Sequence, residues 1–249
     1  MHFAPLRVHR CIRPVGTRTC SSTQTTLLWA PGEKADESQT RKLAGKIGVL
    51  CRNEGGLCVV GARGALPIAR AMRAIAQASE LGKSPVEFRV RWHEDPGDER
   101  ALRFYTEIRE PWAKFKTRWK AMAATPKPRV MPVTPHTGVH RIATALATEV
   151  RLVDGAVLKL NHQNNEVLGI AAKALATLPH VAQNEHKGAA LVCVLRWQLT
   201  EQQVGDFMYA HVYSQLSSGT GDGATGRGRP SDGDDASSDF GSWARRNIK

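Results

Sequence analysis

The sequence predicts a mixed α/β protein of the α+β kind, built from two tandem β-α-β-α-β-β units. Three observations predict it. A helix–strand–turn–helix pattern occurs twice: Leu43 maps to Ile142 and Ile47 to Leu146 at offset 99, and Val60 maps to Leu160 and Ile75 to Leu175 at offset 100. Each copy ends in two strand patterns. The chain has 249 residues, 41% hydrophobic and 23% charged, which suits one large or two small globular domains. Its longest strongly apolar run, Ala189 to Leu195, is far too short for a membrane-spanning helix.

The elements of the first copy follow in order. A short strand is expected near Thr26 to Trp29. Ser38 suits an N-cap, and Leu43, Ile47 and Leu50 recur at helical spacing until Gly55-Gly56 closes the helix. Leu57 to Val60 is a buried strand, and Gly61-Ala62-Arg63-Gly64 turns the chain. Pro67 fits the first turn of a second helix carrying Ile68, Met72 and Ile75. Val86, Phe88, Val90 and Trp92 then alternate with polar residues, as do Leu102, Phe104, Thr106 and Ile108, so each strand has one buried and one wet face. Glu94 to Asp98, with Pro96-Gly97, makes the hairpin turn between them.

The second copy begins with a strand near Arg129 to Val133 and a helix with Ile142, Leu146 and Val150. Gly155 breaks that helix, Val157 to Leu160 forms a strand, Asn161 to Asn165 turns, and Leu168, Ala172 and Leu175 open the next helix. Two strands close it, at Ala189 to Leu199 and Phe207 to Tyr213. The first of these is apolar on both faces, which implies cover by another element and suggests a protein-facing surface.

Both termini differ from the middle. Residues 1–24 carry Arg7, Arg10, Arg13 and Arg18 with several Ser and Thr and no acid, as an organellar transit peptide does, mitochondrial more than plastid; a basic arm touching nucleic acid is the alternative. Residues 217–249 are Gly-, Ser- and Asp-rich and are expected to be a disordered tail, with Phe240 and Trp243 beside Arg245 and Arg246 as a weak docking element. The domain boundaries are therefore 1–24, 25–110 for the first unit, 111–128 for a connector, 129–216 for the second unit and 217–249. Five scattered cysteines without a CxxC pair encode neither a disulfide framework nor a zinc ribbon. Cys51, Cys58 and Cys193 lie in apolar stretches and read as small core residues.

The net charge of +12 points to a polyanionic partner. It is unevenly spread. Residues 31–110 hold 14 basic and 12 acidic residues, and residues 134–216 hold 6 of each. Residues 111–133 contain Lys114, Lys116, Arg118, Lys120, Lys127 and Arg129 and no acid. This connector reads as a helix started by Pro111 and stopped by Pro126, with Trp112, Phe115 and Trp119 at i, i+3 and i+7 for docking or stacking. Its basic residues can then meet phosphates. A solvated basic linker helix docked by its tryptophans is the plainer alternative.

The segments LAGKIGVLCRNEGG, VVGARGALPIARAMRAIAQA and GDERALRFYTEIREP, within residues 43–111, resemble the stage V sporulation protein S family of the Alba-like superfamily. IATALATEVRLVDGAVLKLN and LGIAAKALATL look like a diverged second copy. The resemblance implies small nucleic-acid-binding modules without catalysis, and a tandem pair standing in for a dimer. It implies contacts from the loop before the first helix and from the hairpin, here Lys34, Arg100 and Arg103. The second copy departs from this, since its loop Val133-Thr134-Pro135-His136-Thr137 has no Lys or Arg. Lys42, Arg63 and the six basic residues of 111–133 complete the candidate contacts.

No catalytic set emerges. Gly61 to Gly64 lacks the third glycine of a dinucleotide fingerprint, although Arg63 at a helix start could meet a phosphate. His136 and His140 lack the HExxH pattern, and no cofactor or metal is expected. The expectation is a non-enzymatic, low-specificity RNA-binding protein of the mitochondrial matrix, or less directly of a plastid, working in a ribonucleoprotein or RNA-processing complex. DNA is the other nucleic-acid partner. The alternative is a scaffold subunit of a mitochondrial ribosome or RNA-processing assembly with little RNA affinity of its own.

Overall fold

The computed structural model describes residues 25–52, 56–93, 101–122, 128–153, 155–182, 191–199 and 204–214. The expected transit peptide, the hairpin turn 94–98, Arg100, Lys127 and the 217–249 tail lie outside the described residues. The first half runs β1 (Thr26–Trp29), α1 (Glu37–Arg52), β2 (Cys58–Ala62), α2 (Ala65–Gly82), β3 (Glu87–His93) and β4 (Ala101–Glu107). After α3 (Trp112–Met122), the second half repeats the order: β5 (Val130–Pro132), α4 (Val139–Val153), β6 (Gly155–Asn161), α5 (Asn165–Ala182), β7 (Leu191–Leu199) and β8 (Val204–Ser214).

Local chemistry sets the ends of these elements. The carboxylate of Asp36 accepts hydrogen bonds from the Gln39 amide at 3.1 Å and the Ser38 hydroxyl at 2.7 Å, so Asp36 caps α1 rather than Ser38. The Asn164 side-chain oxygen does the same for α5, accepting from Glu166 and Val167. Gly64 precedes α2 with φ of +80°, a conformation that a Cβ resists. The expected turn at Gly61 is shorter than its sequence suggests, because β2 continues through Gly61 and Ala62.

The eight strands form one sheet in the order β1-β2-β4-β3-β7-β8-β6-β5. The second half thus repeats the strand order of the first in reverse. The halves meet where β3 and β7 pair antiparallel, with Glu87 opposite Val194 and Phe88 opposite Cys193. β1 and β5 pair in parallel with β2 and β6 at the two edges. Ile47, Met72, Ile75, Phe104, Leu158 and Leu168 are fully buried between the sheet and α1, α2, α4 and α5. The two repeats share this core, with α2 packed against α5. Cys51, Cys58 and Cys193 lie in it as free thiols. Burial pushes the Cys58 thiol up to about 12 and raises the other two, so all three stay protonated.

Candidate nucleic-acid interface

Strand alternation gives the sheet a second face, away from α1, α2, α4 and α5. In the second half that face carries Val192, Val194 and Arg196 of β7 opposite Tyr213, His211 and Tyr209 of β8. Helix α3 lies on it. Phe115 is 1% exposed and packs with Val192, Val194 and Tyr213, while Trp112 and Trp119 close over the cluster. Trp119 meets His211 edge-on at 4.5 Å, and the Arg196 guanidinium lies over the Trp112 ring at 5.2 Å. The cover required by the two apolar faces of β7 is therefore the chain's own α3. This removes the reason given for a protein-facing surface there.

An isolated helix of 11 residues is marginal in water, so the docking of its aromatic stripe is what holds α3. Trp112, Phe115 and Trp119 are thus docking residues, not free stacking surfaces. With that stripe turned inward, Lys114, Lys116 and Lys120 are exposed. Arg118 belongs to the helix and Arg129 is exposed just before β5.

The same face in the first half is built differently. The strand registers align Trp29 with Gly61, Gly61 with Arg103, and Arg103 with Arg91, one row across β1, β2, β4 and β3. The Trp29 ring lies against Gly61: a Cβ there would come within 2.9 Å of two ring carbons. Arg63, just after β2, holds its guanidinium 5.2 Å from the Trp29 ring centre. Trp29 is 46% exposed and Arg91 is exposed; Arg63, Arg103 and Tyr105 are half-buried.

Toward the β3–β7 junction the charges are compensated internally. Arg109 pairs with Glu107 at 2.6 Å and with the nearly buried Glu87 at 3.6 Å, and Arg89 approaches Glu107 at 3.7 Å. Of the remaining candidates, Lys34 is exposed in the β1–α1 loop and Lys42 on α1. Arg70, from α2, pins that loop by donating to the carbonyls of Pro31, Gly32 and Ala35. The loop and the Arg63-Gly64 turn leave the same end of the parallel pair β1 and β2, so the fold gathers Lys34, Arg63 and Arg103 at one end of the sheet. The connector lysines sit on the far half.

Sequence reasoning missed Trp29, Arg91 and Tyr105. Their signal was present as alternation along β1, β3 and β4, but only the register between strands brings them into one patch. On the helical side, a cleft of about 800 Å³ between α2 and the β6–α5 turn is lined by Arg41, Arg73, Glu37, Glu80, His162 and Trp197. Arg73 donates there to the carbonyl of His162 at 2.8 Å and to the Asn165 side-chain oxygen at 2.6 Å, which ties the two halves together. Among the described residues no His, Cys, Asp or Glu cluster is suited to hold a metal ion, and no helix is long and apolar enough to cross a membrane. No family model matches the sequence, and no curated protein is detectably similar to it.

Proposed function

We propose that this is a non-catalytic RNA-binding protein that holds the phosphate backbone with low sequence specificity, and that it works in a mitochondrial ribonucleoprotein or RNA-processing complex. The observation that carries this reading is α3. Its aromatic residues are spent on docking, and its lysines project as a ridge that has no acidic residue within the connector. Such a ridge attracts polyanions and releases counterions when they bind. The mirrored strand order supports treating the two halves as Alba-like units in which one chain stands in for a dimer. The acid-free, Arg-rich residues 1–24 support import into mitochondria; mislocalisation of a chain lacking them is the expected result.

The test is binding of the full chain to single-stranded RNA and to duplex DNA over a range of salt. A Lys114/Lys116/Arg118/Lys120→Ala variant is measured alongside. Each lost phosphate contact should flatten the log–log salt slope by about 0.7 on single strands, so the variant loses up to about 2.8. RNA preferred over DNA supports the RNA assignment. Negligible binding by the wild-type chain, together with its co-migration with a large particle, would favour the scaffold role. The equal counts of acidic and basic residues in the second half favour that second reading.

A further inference from the structure

We infer that the open edge of β1 is a pairing surface for a second copy of this chain, joining two eight-stranded sheets into one across a two-fold axis. This goes beyond the RNA-binding reading and stands independently of it.

The two ends of the sheet, β1 and β5, occupy equivalent places in the two halves but are built differently. Among the described residues β1 pairs with β2 and with no other strand. The Ala30 amide donates to the Gly61 carbonyl, and the direction of N–H and C=O alternates along a strand. The backbone groups of Leu28 therefore face β2, while those of Leu27 and Trp29 face the open side. In β5 the Val133 amide donates to the Lys159 carbonyl, which turns Val130 and Pro132 to the open side. Pro132 thus stands where Trp29 stands in β1, and it has no N–H to offer. Exposed Arg129 flanks it. Proline and charge are the usual protections of an edge strand. The stretch from Thr19 to Ala30 has neither.

The side chains agree with the backbone. Leu27 and Trp29 share one face of β1 and are 37% and 46% exposed. Arg70 holds the loop that follows β1 against α2, on the helical side of the sheet, through the carbonyls of Pro31, Gly32 and Ala35.

The occupant follows from symmetry. A two-fold axis normal to the sheet at Leu28 sets β1 antiparallel to itself, with Leu27 opposite Trp29 of the second copy and Trp29 opposite its Leu27. Both members of each pair have their N–H and C=O turned toward the other chain, so both pairs exchange hydrogen bonds in each direction. On the outer face each Leu27 packs beside an indole as an aliphatic–aromatic cross-strand pair. Identical patches meet, as a closed dimer requires. An uncharged strand gives a charged foreign partner nothing to select, whereas a copy of itself is matched at every position. Pro31, without an N–H, ends the pairing. So short a contact makes a weak dimer. It also leaves both α3 ridges on the same side of the joined sheet.

The experiment follows the mass of the nuclease-treated full chain by sedimentation, from low-micromolar to submillimolar concentration, with residue-resolved amide exchange over the same range. A dimer is expected that persists at high salt, where association bridged by nucleic acid dissociates. Leu27→Lys and Leu27→Pro alter the open side and spare the β1–β2 ladder. Each should raise the dissociation constant by about tenfold or more with little change in melting temperature, and Leu27→Val should not. The amides of Leu27 and Trp29 should exchange more slowly as concentration rises, while those of Leu28 and Ala30 stay protected throughout. A monomer at every concentration, or a dimer indifferent to both Leu27→Lys and Leu27→Pro, would overturn the proposal. Leu27 and Trp29 amides that exchange alike at low and high concentration would overturn it too, and that readout on the wild-type chain decides even where the variants melt early.

Discussion

At the scale of single residues, the α3 interface contains a titratable group in an apolar setting. His211 lies beneath Phe115 and Trp119, and its Nδ1 has no hydrogen-bond partner among the described residues. Burial, with help from nearby Arg196, pushes its pKa down to about 4 from 6.5. Between those values the unfolded chain binds a proton that the folded chain refuses, so stability falls as pH drops through that window. A loss on the order of 1–2 kcal/mol is expected between pH 7 and pH 5, and His211→Phe should abolish that share; urea melts at the two pH values check it. At Gly61 the obstacle to a Cβ is the Trp29 side chain on an edge strand rather than backbone. Gly61→Ala should therefore swing the indole outward and lower the melting temperature only slightly. A large loss of stability would show that the ring has nowhere to go.

At the scale of elements, α3 is a polar helix held by three aromatic side chains, and its basic ridge exists only while it is docked. Phe115→Ala removes the most buried of them, and such truncations cost about 3–5 kcal/mol in a packed core. Undocking the helix limits that cost. The expected outcome is fast amide exchange and proteolytic cleavage in α3 while β7 and β8 stay protected, with a weaker salt dependence of RNA binding. Uniform loss of protection across the sheet would mean that α3 is integral to the core.

At the scale of the whole molecule, β3–β7 pairing and α2–α5 packing make one body of two repeats. Residues 25–110 alone would expose the edge of β3 and the face of α2 that meets α5. That fragment should self-associate, since both surfaces complement a second copy of themselves. Sedimentation or light scattering would show it. The full chain should melt in a single transition; two separated transitions would indicate halves that fold independently.

How much of this was legible depends on the range of the interaction involved. Alternation in Val86 to Trp92 and helical spacing in Ile68, Met72 and Ile75 marked what faces the core, because side-chain periodicity is a local property of the backbone. The β-α-β-α-β-β order of each half, the repeat and the docking stripe of α3 were readable for the same reason. Elsewhere local signals misled: Ser38 was the expected cap where Asp36 caps α1, and Gly61 looked like a turn because glycine serves turns and close approaches alike. The two apolar faces of β7 announced two covers without naming them, since hydrophobic burial has no direction. Tertiary structure alone decided that β3 joins β7, that α3 lies over the second half, and that Trp29, Gly61, Arg103 and Arg91 form one row. Those outcomes depend on strand register and chain closure between residues far apart in sequence, where no local pattern carries the information.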